Sequence, residues 1–219
     1  MPKSLPSESS LPLAPPLRPS LSEAKVGGRG GWGVRSSQRE GGLMAEGIDL
    51  PHVARGVLLT EAARLERFDA ALSQVRAALE GETDAVALQA TLACLLWQVF
   101  PQASWCGFYR RVGESTLAVG PYQGPMGCLR IDFARGVCGA AARTGETQLV
   151  PDVEAFPGHI ACDGASRSEL VVPVRDGDGR VRAVLDLDSH SLAAFGAAEA
   201  SRLEALLAEV FTHRADVVW

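Results

Sequence analysis

Lysine is almost missing from this 219-residue chain: Lys3 and Lys25 are the only two. The body of the chain therefore holds no Schiff-base lysine and no phosphate-binding P-loop lysine, and any phosphate chemistry would fall to arginine. A basic excess is missing too. Twenty-one Lys and Arg face 26 Asp and Glu, a net charge of −5, which argues against an electrostatic nucleic-acid binder. No charged-then-apolar-then-small signal pattern is present, and no apolar run reaches the roughly 18 residues of a membrane span. A cytoplasmic, reducing setting without membrane attachment is the expectation. What the chain does have is five cysteines, at 94, 106, 128, 138 and 162. In a reducing compartment, thiols that are not simply buried are usually catalytic, redox-active or metal-binding.

The chain divides unevenly. Residues 1–43 hold 8 Ser, 6 Pro and 7 Gly, too few apolar groups to offset the entropy of ordering, and read as disordered. This segment is either a tail with a role in targeting or an extension before a true start at Met44. From Leu58 to Glu80, apolar residues recur at three- and four-residue steps, predicting an amphipathic helix stopped by Gly81. A second, mostly apolar helix is expected from Thr83 or Asp84 to Phe100, ended by Pro101. Period-two segments follow at Ser104–Arg110, Thr116–Gly120, Cys128–Ile131, Thr147–Val150, Ser168–Val174 and Val181–Ser189. Arg175-Asp176-Gly177-Asp178-Gly179-Arg180 marks a hairpin turn between the last two. A closing helix is expected over about Ala197–Arg214. Helix, helix, mostly antiparallel strands and helix make an α+β sheet domain.

Alternation assigns faces. Trp105, Gly107 and Tyr109 share one side of their strand, so the two rings flank a slot over the glycine, while Cys106 and Phe108 point away. The plain alternative is core packing, with Gly107 present for backbone reasons. Val181, Ala183, Leu185 and Leu187 form one face of the last strand; Asp186 and Asp188 lie on the other, about 7 Å apart. Aspartate is depleted from strands. If this pair is partly buried, repulsion and desolvation raise one pKa and leave a neutral acid beside a charged acceptor. Glu169, on the partner strand of the hairpin, can join them.

Cys94 and Cys106 read as small buried hydrophobes. Cys128, Cys138 and Cys162 lie in glycine-rich, turn-like context, where a thiolate can be reached and stabilised by backbone N–H groups. The one metal-like spacing, His159-x-x-Cys162, has no companion CxxC pair, so no metal is expected.

Several segments carry a family likeness. Phe156-Pro157-Gly158-His159-Ile160-Ala161-Cys162-Asp163 and Ser168-Glu169-Leu170-Val171-Val172-Pro173 resemble free methionine-(R)-sulfoxide reductases. So do Trp105–Tyr109, Gly120–Gly124, Cys128–Ile131, Arg135–Gly139 and Leu185–Ser189, in order over about residues 60–212. The resemblance implies a GAF fold over about 55–215, and reduction of the R-epimer of free methionine sulfoxide. It implies Cys162 as nucleophile and Cys128 as resolving thiol, with Cys138 as a second candidate. Glu169, Asp186 and Asp188 would then supply the proton donor and meet the substrate's ammonium, and Trp105 and Tyr109 would wall its S-methyl group. Thioredoxin would reduce the resulting disulfide, no metal or organic cofactor would be needed, and the family likeness suggests a homodimer. The competing readings are a GAF-type module that only binds a small ligand and a thiol redox sensor without catalysis.

Overall fold

The structure, a computed structural model, describes residues 48–159 and 163–219; the Ser/Pro/Gly-rich segment and Met44 lie outside them. Helix α1 spans Glu61–Leu79, three residues later than its apolar periodicity suggests. Thr60 sets the start, its hydroxyl accepting from the Ala63 amide at 3.3 Å, as an N-cap does. The buried stripe is Arg64, Phe68, Ala71, Val75 and Leu79, whereas Leu58 and Ala62 are exposed. Arg64 turns the helix this way: its guanidinium pairs with Glu199 in the interior.

Helix α2 spans Ala85–Val99. Asp84 caps it, one carboxylate oxygen accepting from Val86 and Ala87 amides at 2.8 Å each. Leu88, Leu92, Leu96 and Val99 are buried on it. Cys94, two residues beyond Leu92, falls on the other side and is exposed, so it is not the buried hydrophobe its apolar surroundings suggested.

Six strands follow: β1 (Trp105–Arg111), β2 (Thr116–Gln123), β3 (Arg130–Asp132), β4 (Gln148–Val150), β5 (Ser168–Arg175) and β6 (Val181–Ser189). They form one sheet in the order β3-β2-β1-β6-β5-β4, and each neighbouring pair is antiparallel. The β5–β6 hairpin closes where expected, with Asp176 accepting from the Asp178 and Arg180 amides and Gly179 at φ 78°.

Alternation then splits the core. Cys106, Phe108, Leu170, Val172, Ala183, Leu185 and Leu187 face a layer built with α1, α2 and α4 (Ala197–Leu207). Trp105, Tyr109, Val171 and Val184 face the opposite side with Val137 and Cys138. The closing helix is regular only to Leu207; one π-helical turn carries it to Thr212.

That second side carries helix α3, Gly136–Thr144, where a turn-like segment was expected. Two glycines in nine residues conceal it, since glycine is a poor helix former. Gly139 is there for close approach, because a Cβ would run into the Asp132 carbonyl oxygen.

The Arg64–Glu199 pair is the fold's buried ion pair. Glu199 is 0% exposed and its other oxygen accepts from the Gly196 amide at 2.9 Å, at the start of α4. Glu199→Ala leaves a buried guanidinium unpaired and should cost about 3–5 kcal/mol in urea unfolding. Replacing both partners with apolar residues should cost much less. A loss below about 1 kcal/mol in the single variant would show the pair to be dispensable.

Candidate active site

The site grows from the register of four strands on the α3 side of the sheet. Glu169 on β5 pairs with Asp188 on β6. Asp186, two residues back on the same face, pairs with Gly107 across β1, and Asp188 pairs with Trp105. Three carboxylates are thus brought beside the aromatic strand. Glu169 is 6% exposed and Asp186 4%, while Asp188 is partly buried. These are the acids expected to cluster, and they do.

The slot over Gly107 is not open. Tyr122, its register partner on β2, fills it, and a Cβ on residue 107 would overlap the Tyr122 Cβ. Gly107 therefore serves close strand approach, the backbone reason weighed against the slot. Trp105 instead stacks on Tyr109 and Tyr122, with centroids 5.4 and 5.1 Å away. Its indole N–H donates to the Pro125 carbonyl at 3.1 Å, fixing the ring against the loop after β2. Gly107→Ala should lower stability by about 1–3 kcal/mol through overpacking, readable as a lower urea midpoint with an unchanged slope. A variant as stable as the parent would show that β2 moves away at no cost.

A pocket with about 530 Å³ of atom-free space, mouth included, opens over these groups. Trp105 and Tyr109 form one wall; Glu169, Asp186 and Asp188 form its floor, with Cys138, His159, Asp163 and Ser166 around them. Cys138 stands on α3, not in a loop. It is 4% exposed, and its thiol donates to a Glu169 oxygen at 3.8 Å. His159 Nε2 lies 3.9 Å from the other Glu169 oxygen.

Burial dominates the electrostatics here, because desolvation penalises charged forms. It pushes Asp186 up to about 7. Burial, reinforced by Asp186, raises Glu169 and Asp188 well above the ordinary carboxylate range. The Cys138 thiol and the Tyr109 hydroxyl are raised for the same two reasons. His159 is lowered by burial. Burial thus favours the neutral forms of the floor acids, and Cys138 stays a thiol.

Among the described cysteines, Cys94, Cys106 and Cys138 are free and Cys128 is disulfide-bonded. Cys128, expected to begin a strand, sits instead in the β2–β3 loop, since β3 begins at Arg130, and it packs against the same aromatic layer. Cys162 lies outside the described residues. Its neighbour Asp163 accepts from the Ala165 amide at 2.9 Å and meets His190 Nε2 at 2.8 Å. Cys106 is buried on the opposite face of the sheet, as its position in the strand required.

Tyr122, His190 and Ser166 were not assigned from the residues. Pro121 hid Tyr122 by seeming to end the strand, although β2 continues to Gln123. Ser166 lines the pocket and His190 reaches its lining residue Asp163 only through the folded ends of β5 and β6, which no local pattern records.

A model of the GAF domain matches residues 82–210, and the chain belongs to the GAF-domain family. Within that family it groups with the free methionine-(R)-sulfoxide reductases. The Saccharomyces cerevisiae free methionine-R-sulfoxide reductase is 41% identical over 133 residues, covering 58% of this chain and 74% of that protein. Protein YtsP of Bacillus subtilis is 48% identical over 119 residues, 54% of this chain and 72% of that one. The solved free methionine-R-sulfoxide reductase of Neisseria meningitidis, in complex with its substrate, superposes with a TM-score of 0.63 at 42% identity. It covers 73% of this chain and 93% of its own. No described helix is long and apolar enough to cross a membrane.

Proposed function

We propose that this chain reduces free L-methionine-(R)-sulfoxide to methionine, with Cys162 as nucleophile, Cys128 as resolving thiol and thioredoxin as reductant. One observation carries the reading. Three carboxyls are gathered on the floor of a pocket walled by Trp105, with no arginine or lysine among the described lining residues. Such a floor suits a ligand that brings its own cation and needs protons.

The steps balance. Cys162 sulfur attacks the sulfoxide sulfur, the S–O bond breaks, and oxygen ends on cysteine as a sulfenic acid while methionine leaves reduced by two electrons. The departing oxygen must gain protons. Glu169 and Asp188, whose neutral forms burial favours, are the donors. Asp186, near 7, ionises as the ammonium arrives. The Cys128 thiol then displaces the sulfenic oxygen as water, giving a Cys128–Cys162 disulfide, which the dithiol of thioredoxin reduces by exchange. The thiols carry the electrons, so neither metal nor organic cofactor takes part. The working unit is a homodimer in this reading, which sedimentation would test.

Specificity follows from the floor. A peptide-linked residue has no ammonium, and burying it would leave the carboxylates unpaired, a stronger discrimination than a missing methylene. With thioredoxin, its reductase and NADPH, the R-epimer of the free amino acid should turn over. The S-epimer and the N-acetylated R-epimer should be slower by about 10²-fold or more. Equal rates with both epimers, or none with R, would refute the assignment.

A further inference from the structure

The pocket's acids lack a cation. Glu169, Asp186 and Asp188 share one floor, with neither arginine nor lysine among the described lining residues. Asp186 Oδ1 is buried and has no hydrogen-bond partner among the described residues. A buried acceptor of this kind costs free energy until a donor or cation reaches it.

Beside this carboxylate stands a thiol. Cys138 Sγ, a Glu169 oxygen and an Asp186 oxygen all lie within 4.8 Å of one another, on three buried residues. Cys138 Sγ is 3.8 Å from Glu169 Oε1. In a tetrahedral zinc site, with sulfur at about 2.3 Å and oxygen at about 2.0–2.2 Å, the sulfur–oxygen edge is about 3.5 Å. The existing separation is therefore a few tenths of an ångström from a ligating one. His159 Nε2 stands 3.9 Å from the second Glu169 oxygen, outside the three-residue set. One thiolate with two carboxylates selects zinc-like ions over magnesium or calcium, which take oxygen donors alone.

We propose that Cys138, Glu169 and Asp186 bind one Zn²⁺-class divalent ion in the substrate-free protein, and that this ion and the substrate's ammonium exclude each other. Binding releases to solvent the Cys138 thiol proton and whatever protons burial keeps on Glu169 and Asp186, and it requires no oxidant or reductant. The ion is an inhibitor, not a resident cofactor. The exclusion rests on the substrate pose proposed above; the metal binding does not.

Co²⁺ is the probe, added to the purified full chain with its Cys128 disulfide intact, so that this thiol is out of play. A thiolate-to-cobalt charge-transfer band should saturate at one equivalent and collapse when Zn²⁺ is added. It should be absent in Cys138→Ser and unchanged in Cys94→Ser, whose thiol is exposed on α2. Glu169→Gln, which keeps the thiol, should weaken Co²⁺ binding at least tenfold. No band in the parent, or a band that survives Cys138→Ser, overturns the site. In steady state, Zn²⁺ should raise KM and leave kcat alone; a fall in kcat at constant KM overturns the exclusion. Chelator-treated enzyme separates the two ideas. If neither the untreated nor the chelator-treated enzyme reduces the R-epimer, the reductase reading fails while the cobalt band stands; turnover lost only on chelation overturns the ion's role as inhibitor.

Discussion

Cys162→Ser should release no methionine even in a single turnover, whereas Cys128→Ser should release one equivalent and then stop. The contrast follows from dividing attack and resolution between two thiols. Without Cys162 nothing attacks the sulfoxide sulfur, because the other thiols are badly placed for it. Cys106 is fully buried on the opposite face of the sheet, Cys94 is exposed on α2, and burial holds Cys138 as a thiol. A buried, protonated thiol is a poor nucleophile. Without Cys128 the first step proceeds but the sulfenic acid has no resolving partner, so thioredoxin finds no disulfide to exchange. Rapid quench of reductant-free enzyme, with methionine counted by chromatography, reads both variants. A burst from Cys162→Ser, or steady thioredoxin-driven turnover in Cys128→Ser, would contradict the division.

The chain's strands were easy to read from sequence, and for a physical reason. Val181–Ser189 alternates with period two between the helix layer and the pocket side, and its span came out to the residue. Its two faces separated as required, Leu185 and Leu187 toward the helices and Asp186 toward the pocket. Helix α3 was hidden because its two glycines answer to tertiary and backbone demands that override local propensity: Gly139 to the approach to β3, Gly136 to a positive φ of 67° at the helix start. That same error misplaced Cys138 among loop thiols. The start of α1 was misjudged because a buried arginine takes part in the core face, and apolar periodicity does not count arginine. At the site, the acids could be seen from β-strand aspartates at i and i+2. The closure of the Trp105 wall by Tyr122 could not, since it depends on the β1–β2 register and on the irregularity between Gly107 and Tyr109.

Asp186→Asn should make the protein more stable at alkaline pH while nearly abolishing substrate capture. Asp186 titrates near 7 in the folded chain because of burial, against about 3.9 for an unfolded aspartate. Between those values the folded state binds the extra proton, so stability falls as pH rises. The penalty is absent below about pH 4, grows through the interval and is complete above about pH 7. The amide carries no charge and escapes it, and the upward pressure of Asp186 on Glu169 and Asp188 disappears as well. The variant should match the parent in urea midpoint near pH 4 and exceed it at pH 8, by on the order of a few kcal/mol. Function moves the other way. The substrate's ammonium then sits in a buried pocket without its ionising partner, a loss of about 2–5 kcal/mol for a desolvated charge pair. That corresponds to a kcat/KM lower by about 30- to 4,000-fold, carried mostly in KM because the proton donors remain. Equal stability gains at pH 4 and pH 8 would mean that the aspartate is not paying a desolvation penalty in the native pocket. An unchanged KM would mean that the ammonium does not meet this carboxylate.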